Sequence, residues 1–192
     1  MCTSPEPRAR RLPGDLAMWL FILVELSVFA LLILAFAVTA QLKPPLFASG
    51  RALLDTSTGL AMTLSLLGAG LLAALALEQL RELRPRRAAC LLGLACCVAG
   101  VYLWLKLGEY RHLAGLGLGL GLEHDTFFTL YWLLTSFHFL HVLPGMAILA
   151  WLAYRAWTRA PLAGSGFESG VLYWHMVDLV WVVLFPLVYI LD

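Results

Sequence analysis

Apolar residues fall into five long blocks separated by short polar breaks, over about 16–41, 57–80, 88–107, 126–154 and 170–191. Each block holds ~20–29 residues, enough at ~1.5 Å per residue to cross ~30 Å of hydrocarbon. None alternates apolar with polar positions as a barrel strand does. A backbone in lipid must satisfy its own hydrogen bonds. The pattern therefore predicts an all-α integral membrane bundle of five transmembrane helices, in a single domain over residues 1–192.

The breaks carry turn chemistry. Lys43-Pro44-Pro45 stops the first block, and Asp55, Thr56 and Ser57 offer caps for the second. Arg84-Pro85-Arg86-Arg87 reads as a tight basic turn, and Pro161 to Gly166 as a flexible connection. The Gly-Leu repeat from Gly115 to Gly121 lacks a preceding strand and the GxGxxG spacing. It reads as a flexible or re-entrant loop, not a phosphate site. The first block exceeds the ~7–15-residue core of a signal peptide and contains Glu25, so it reads as a retained helix.

Composition narrows the class. The chain is 61% hydrophobic and 13% charged, against ~25% charged in soluble domains, which excludes a soluble globular enzyme. A net charge of +1 without a basic patch argues against a nucleic-acid partner. Nine Lys and Arg fall on the N-terminal side of the spans: Arg8, Arg10, Arg11, Arg81, Arg84, Arg86, Arg87, Arg155 and Arg159. Four fall on the other side: Lys43, Arg51, Lys106 and Arg111. The bias predicts a cytoplasmic N-terminus, and five crossings then put the C-terminus outside.

Charges inside lipid cost ~2.5–3.5 kcal/mol each, so the few mid-span polar residues are the informative ones. Helical rise places Glu25, His138, His141 and Asp178 in one layer, ~13–18 Å from the cytoplasmic edge, with His175 one turn shallower than Asp178. His138 and His141 are spaced i, i+3, as are His175 and Asp178, so each pair shares a helix face. Asp178 can bond His175 directly or orient an imidazole on a neighbouring helix. Together the five residues form a candidate midplane polar cluster with a structural, proton or lipid role. Lys106 and Glu109 read as an ion pair near the outer edge, and Cys90, Cys96 and Cys97 as small packing residues. Pro144 and Pro186 lie inside helices and are expected to kink them. No zinc spacing, nucleophile signature or P-loop is present, so no catalytic or metal residue is assigned.

Four segments carry a resemblance. They are Met18-Trp19-Leu20-Phe21 leading to Glu25, Leu107-Gly108-Glu109-Tyr110, Thr135-Ser136-Phe137-His138-Phe139-Leu140-His141, and Gly166-Phe167-Glu168 leading through Tyr173-Trp174-His175-Met176-Val177-Asp178 to Trp181. In this order they resemble subunit III of the haem-copper oxidases. Phe139 stands where that family usually has glycine between the histidines. The five-block form and Arg11-Leu12-Pro13-Gly14-Asp15-Leu16 look like the short bacterial variant associated with nitric oxide reductase and denitrification.

The resemblance implies a non-catalytic subunit with no redox cofactor of its own. Such a subunit packs on catalytic subunit I, beside subunit II or a cytochrome c subunit. It binds phospholipid and supports proton uptake in respiratory electron transport. Glu25, His138, His141, His175 and Asp178 match family positions, with Glu168, Tyr173, Trp174 and Trp181 in the last-helix motif. Two other readings compete: a small proton-coupled transporter, and a b-type cytochrome holding haem between His141 and His175.

Overall fold

The computed structural model describes residues 16–119, 125–158 and 164–191. All regular structure among them is helical: α1 (Leu16–Leu42), α2 (Pro44–Arg51), α3 (Thr56–Arg81), α4 (Pro85–Gly115), α5 (Thr126–Trp157) and α6 (Gly164–Tyr189). Five of these are long and apolar enough to cross a membrane. The chain is a multi-pass α-helical membrane protein.

The short helix α2 follows from the proline pair. Pro44 cannot extend α1, but at a first helical position its missing N–H costs nothing, and α2 starts there. Its Phe47 is fully buried and meets Phe36 of α1 and Phe127 of α5 edge-on. Gly50 is required beside them, because a Cβ there would enter the ring of Phe127.

Asp55 caps α3. Its carboxylate accepts from the N–H groups of Ser57 and Thr58, both at 3.1 Å, and from their hydroxyls. The Thr58 and Ser57 hydroxyls lead in holding its pKa at about 2. At the far end of α3, Arg84 N–H bonds Gln79 O and Leu83 N–H bonds Leu80 O, a Schellman closure with Leu83 left-handed at φ 59°. The end of α4 repeats this closure with Gly117 at φ 77°.

The α3–α4 hairpin is the closest helix pair. Small residues accompany it: Ala69, Ala73 and Ala76 are buried on α3, and Ala88, Ala95 and Ala99 on α4. Without a hydrophobic force between helices in lipid, such close backbone packing supplies the cohesion. Helix α6 packs on α3, α5 and α1, and is the most buried span. Helix α1 is the least buried. Its buried residues are Ile22, Phe29 and Phe36, one every seven, and most of its remaining surface faces outward.

Four sequence readings need correction. Helix α4 runs well past the expected 88–107 at both ends. Pro85 opens it, so Arg86 and Arg87 lie in its first turn and not in a loop. Of the Gly-Leu repeat, Gly115 ends α4 and Gly117 closes it, while 120–124 lie outside the described residues. Cys90 and Cys97 face outward and only Cys96 is partly buried, because Cys90 and Cys97 fall on the lipid side of α4. The expected connection is helical from Gly164, and 161–163 lie outside the described residues. Pro144 and Pro186 stand inside continuous helices.

Candidate functional site

The mid-span polar residues resolve into separate groups. The first joins α1 to α5. Glu25 Oε2 lies 3.0 Å from His141 Nε2, with both side chains mostly buried. His141 Nδ1 lies 2.8 Å from the carbonyl of Phe137. A carbonyl only accepts, so Nδ1 carries a proton. Nε2 then faces the carboxyl with one proton between them. Either Glu25 donates as a carboxylic acid, or an imidazolium donates to a carboxylate. In both states the pair is neutral overall. Tyr173 of α6 reaches the same turn, its hydroxyl donating to the His141 carbonyl at 3.2 Å.

The second group joins α6 to α3. His175 Nδ1 lies 3.3 Å from Asp178 Oδ2. The carboxylate rests on the α3 backbone at Gly70, where a Cβ would collide with Oδ2 and touch the His175 ring at 3.4 Å. Asp178 is buried, whereas His175 is 36% exposed and borders a cleft of about 660 Å³ between α3 and α6. Arg81 and Glu168 bridge the mouth of that cleft at 2.9 Å.

His138 stands apart. It is fully buried between Trp181 at 5.1 Å, Tyr102 at 5.9 Å and Phe29 at 6.3 Å between ring centroids. Neither its ring nitrogens nor the Tyr102 hydroxyl has a hydrogen-bond partner among the described residues. No hydrogen bond among the described residues joins His138, the Glu25–His141 pair and the His175–Asp178 pair to one another. The remaining last-helix residues serve packing. Trp181 Nε1 donates to Thr63 Oγ1 at 3.0 Å. Trp174 is buried against Gly145, whose missing side chain gives its indole room. Phe139 packs 6.0 Å from Tyr110 of α4, which accommodates its bulk.

A fourth group was misread from sequence. Lys106 and Glu109 are not at the surface: the side chains are 0% and 8% exposed. Lys106 Nζ donates to Glu109 Oε1 at 2.7 Å, to Tyr131 at 3.0 Å and to Tyr189 at 3.1 Å. The Tyr189 hydroxyl donates to both Glu109 oxygens at 2.8 Å, and Tyr131 also bonds Glu109. The ammonium lies 4.9–5.7 Å from the ring centres of Tyr110, Tyr131, Trp181 and Tyr189. Helices α4, α5 and α6 are thus pinned at one buried ion pair. The error came from ending the third span at 107. The helix continues to Gly115, which sets Lys106 ~13 Å inside it.

Among the described residues no three His, Cys, Asp or Glu side chains converge as a metal site. Both nitrogens of His141 are engaged, so the haem alternative gains no support from this geometry. What the arrangement does chemically is match ionisable groups in pairs, Glu25 with His141 between α1 and α5, and His175 with Asp178 and Lys106 with Glu109 within α6 and α4.

Five apolar spans held by buried polar pairs define a helical subunit of the membrane interior. The chain belongs to the family described as cytochrome c oxidase subunit III, whose sequence model matches residues 13–192. It is 36% identical over 104 residues to cytochrome c oxidase subunit 3 of Synechocystis, covering 52% of this chain and 42% of that protein. It is 34% identical over 98 residues to the Lumbricus terrestris subunit 3, covering 50% and 36%. With cytochrome bo(3) ubiquinol oxidase subunit 3 of Pseudomonas aeruginosa it shares 25% over 175 residues, 90% of this chain and 82% of that one. The matches to the Synechocystis and Lumbricus proteins span less than half their lengths.

Proposed function

We propose that the chain is a non-catalytic accessory subunit of a bacterial respiratory haem-copper oxidase or nitric oxide reductase complex. It sits in the inner membrane with its N-terminus in the cytoplasm. Burial of Lys106 supports that orientation, because it leaves nine cations at or beyond the span ends on the N-terminal side against three on the other. The partner is the catalytic subunit I, with subunit II or a cytochrome c subunit beside it. The work is indirect: covering a flank of subunit I, ordering phospholipid there and supporting proton uptake.

The observation that carries this reading is that the family-motif residues bond one another. Glu25 of the first motif pairs with His141 of the third, and Tyr173 of the last motif holds the same turn. Side chains used this way hold a bundle together. Helix α1, with most of its surface outward, offers the flank for a neighbouring subunit.

The test is purification in mild detergent with co-purifying subunits identified by mass. A haem-copper subunit I or a nitric oxide reductase catalytic subunit supports the reading, and oxygen or nitric oxide consumption by that complex chooses between them. Recovery of this chain alone, folded and without such a subunit, overturns it.

A further inference from the structure

His175 meets open space with one ring nitrogen unused. Its Nδ1 faces Asp178, and the Nδ1–Cε1 edge of the ring lies against α3 at Gly70. Its Nε2 is neither hydrogen-bonded nor sealed off among the described residues. The ring stands at the floor of the α3–α6 cleft, whose walls are Ala74, Leu77, Val171 and Leu172. The Arg81–Glu168 bridge spans the mouth. About two helical turns, or ~10.5 Å of rise, separate Glu168 from His175 on α6.

We propose that this cleft holds the headgroup of an isoprenoid quinol, with one hydroxyl donating to His175 Nε2. An ionised carboxylate only accepts, so the Nδ1 facing Asp178 carries the proton of a neutral ring, and Nε2 is left as an acceptor. The floor therefore takes a hydroxyl donor. The lining carries three carboxylates, Glu78, Glu82 and Glu168, against the single cation Arg81, which repels phosphate and carboxylate headgroups. The apolar walls suit a flat ring between the two helices. A ring with a hydroxyl at each end, and a ~2.8 Å hydrogen bond beyond each, matches the rise between His175 and the rim carboxylate of Glu168.

Depth separates this ligand from a phospholipid. The span that carries His175 begins at Gly166, which sets the imidazole ~13 Å inside it. A charged phosphate stays at the interface, whereas an uncharged quinol ring enters the hydrocarbon. The tail has a path as well. Leu67 and Leu71 of α3 and Leu179 and Val182 of α6 continue the two walls away from the mouth, all exposed. An isoprenoid chain lying between them runs on toward the opposite face of the membrane. The site lies wholly within this chain and does not depend on which complex the chain joins.

The test adds decylubiquinol, kept reduced under argon, to the full chain in detergent. Native mass spectrometry counts the bound ligand, and nitrogen NMR of labelled histidine locates it. One quinol per chain should bind, and the His175 Nε2 resonance, assigned by its loss in His175→Phe, should move. Decylubiquinone has no hydroxyl to donate and should bind about tenfold more weakly, the worth of one lost hydrogen bond. His175→Phe should lose the quinol. Ala74→Trp should lose it too, because its indole fills the cleft from an exposed position with the His175–Asp178 pair intact. That variant carries the test should His175→Phe misfold. His112→Phe, at the other end of the bundle, should bind as wild type does, and excess phosphatidylglycerol should not displace the quinol. No binding to wild type, equal binding of quinol and quinone, or quinol retained in Ala74→Trp overturns the proposal. So does displacement by phosphatidylglycerol, which would make the cleft an ordinary lipid contact.

Discussion

Lys106 and Glu109 lie one turn apart on α4, 2.7 Å between Nζ and Oε1, with both side chains buried inside a membrane-spanning bundle. Three phenol or carboxylate partners complete the lysine's donors, and two tyrosines complete the carboxylate. Removing one member leaves the other charged and unmatched in low dielectric. Lys106→Met should therefore destabilise by ~3–5 kcal/mol. Lys106→Met/Glu109→Gln should cost less than Lys106→Met alone, since no lone charge remains. Detergent melting curves of the wild type and these variants measure this, and a double variant less stable than Lys106→Met would contradict it.

Gly70 serves the carboxylate of Asp178. A Cβ at this position overlaps Oδ2, so Gly70→Ala must push Asp178 off its place or part α3 from α6. Such overpacking costs ~1–3 kcal/mol. In an Asp178→Ala background the obstacle is gone, and Gly70→Ala should then be close to neutral. An undiminished cost in that background would show that the helix backbone itself, and not Asp178, needs the glycine.

The Glu25–His141 geometry allows two protonation patterns and excludes a third. With Nδ1 bound to a carbonyl, the pair is an acid with a neutral imidazole or a carboxylate with an imidazolium. Infrared spectra of Glu25, assigned with Glu25→Gln, and nitrogen NMR of His141 should show one of these. A carboxylate facing a neutral imidazole would contradict the bond at 3.0 Å. The amide that Glu25→Gln introduces can still donate to Nε2. That variant should therefore keep the fold while abolishing proton exchange at the pair.

The Asp55 cap gives a pH signature outside the membrane core. The folded carboxyl, at about 2, lies below its ordinary 3.8. A lowered folded value means the folded state favours the ionised form. Its stabilising contribution is full above about 4 and fades as pH falls toward 2. Asp55→Ala should melt earlier than wild type at pH 7, with the gap closing by about pH 2. Asp55→Asn should keep most of the cap and lose that pH dependence. A gap between wild type and Asp55→Ala unchanged from pH 7 to 2 would refute the assignment.

The five spans were legible because each exceeds the length a bilayer demands, and the family motifs because their residues stand in order. The pairing of polar residues was only partly so. His175 and Asp178 share a face and do bond. His138 and His141 have the same spacing, yet three residues turn a helix by about 300°, which leaves their directions ~60° apart. That angle sends His141 to Glu25 of α1 and His138 into the aromatic centre. The burial of Lys106 was hidden because its partners Tyr131 and Tyr189 lie 25 and 83 positions away. A charge read without them marks the end of a span.

Leu83 and Gly117 occupy equivalent left-handed positions, at φ 59° and 77°, in the closures of α3 and α4. An L side chain pays ~1–2 kcal/mol for that conformation, while glycine adopts it freely. Leu83 is 88% exposed, so its side chain returns little packing. Replacing it with glycine removes the steric cost but adds ~0.5–1 kcal/mol of backbone entropy to the unfolded chain. The steric term wins, and Leu83→Gly should stabilise by ~0.5–1 kcal/mol. Gly117→Leu should destabilise by ~1–2 kcal/mol, because nothing lies within 4 Å to reward the new side chain. Leu83→Asn tolerates the same conformation without glycine's freedom, and should match or exceed Leu83→Gly. Melting temperatures of the three variants decide this. A loss on Leu83→Gly would mean that the leucine holds the turn through contacts its exposure denies.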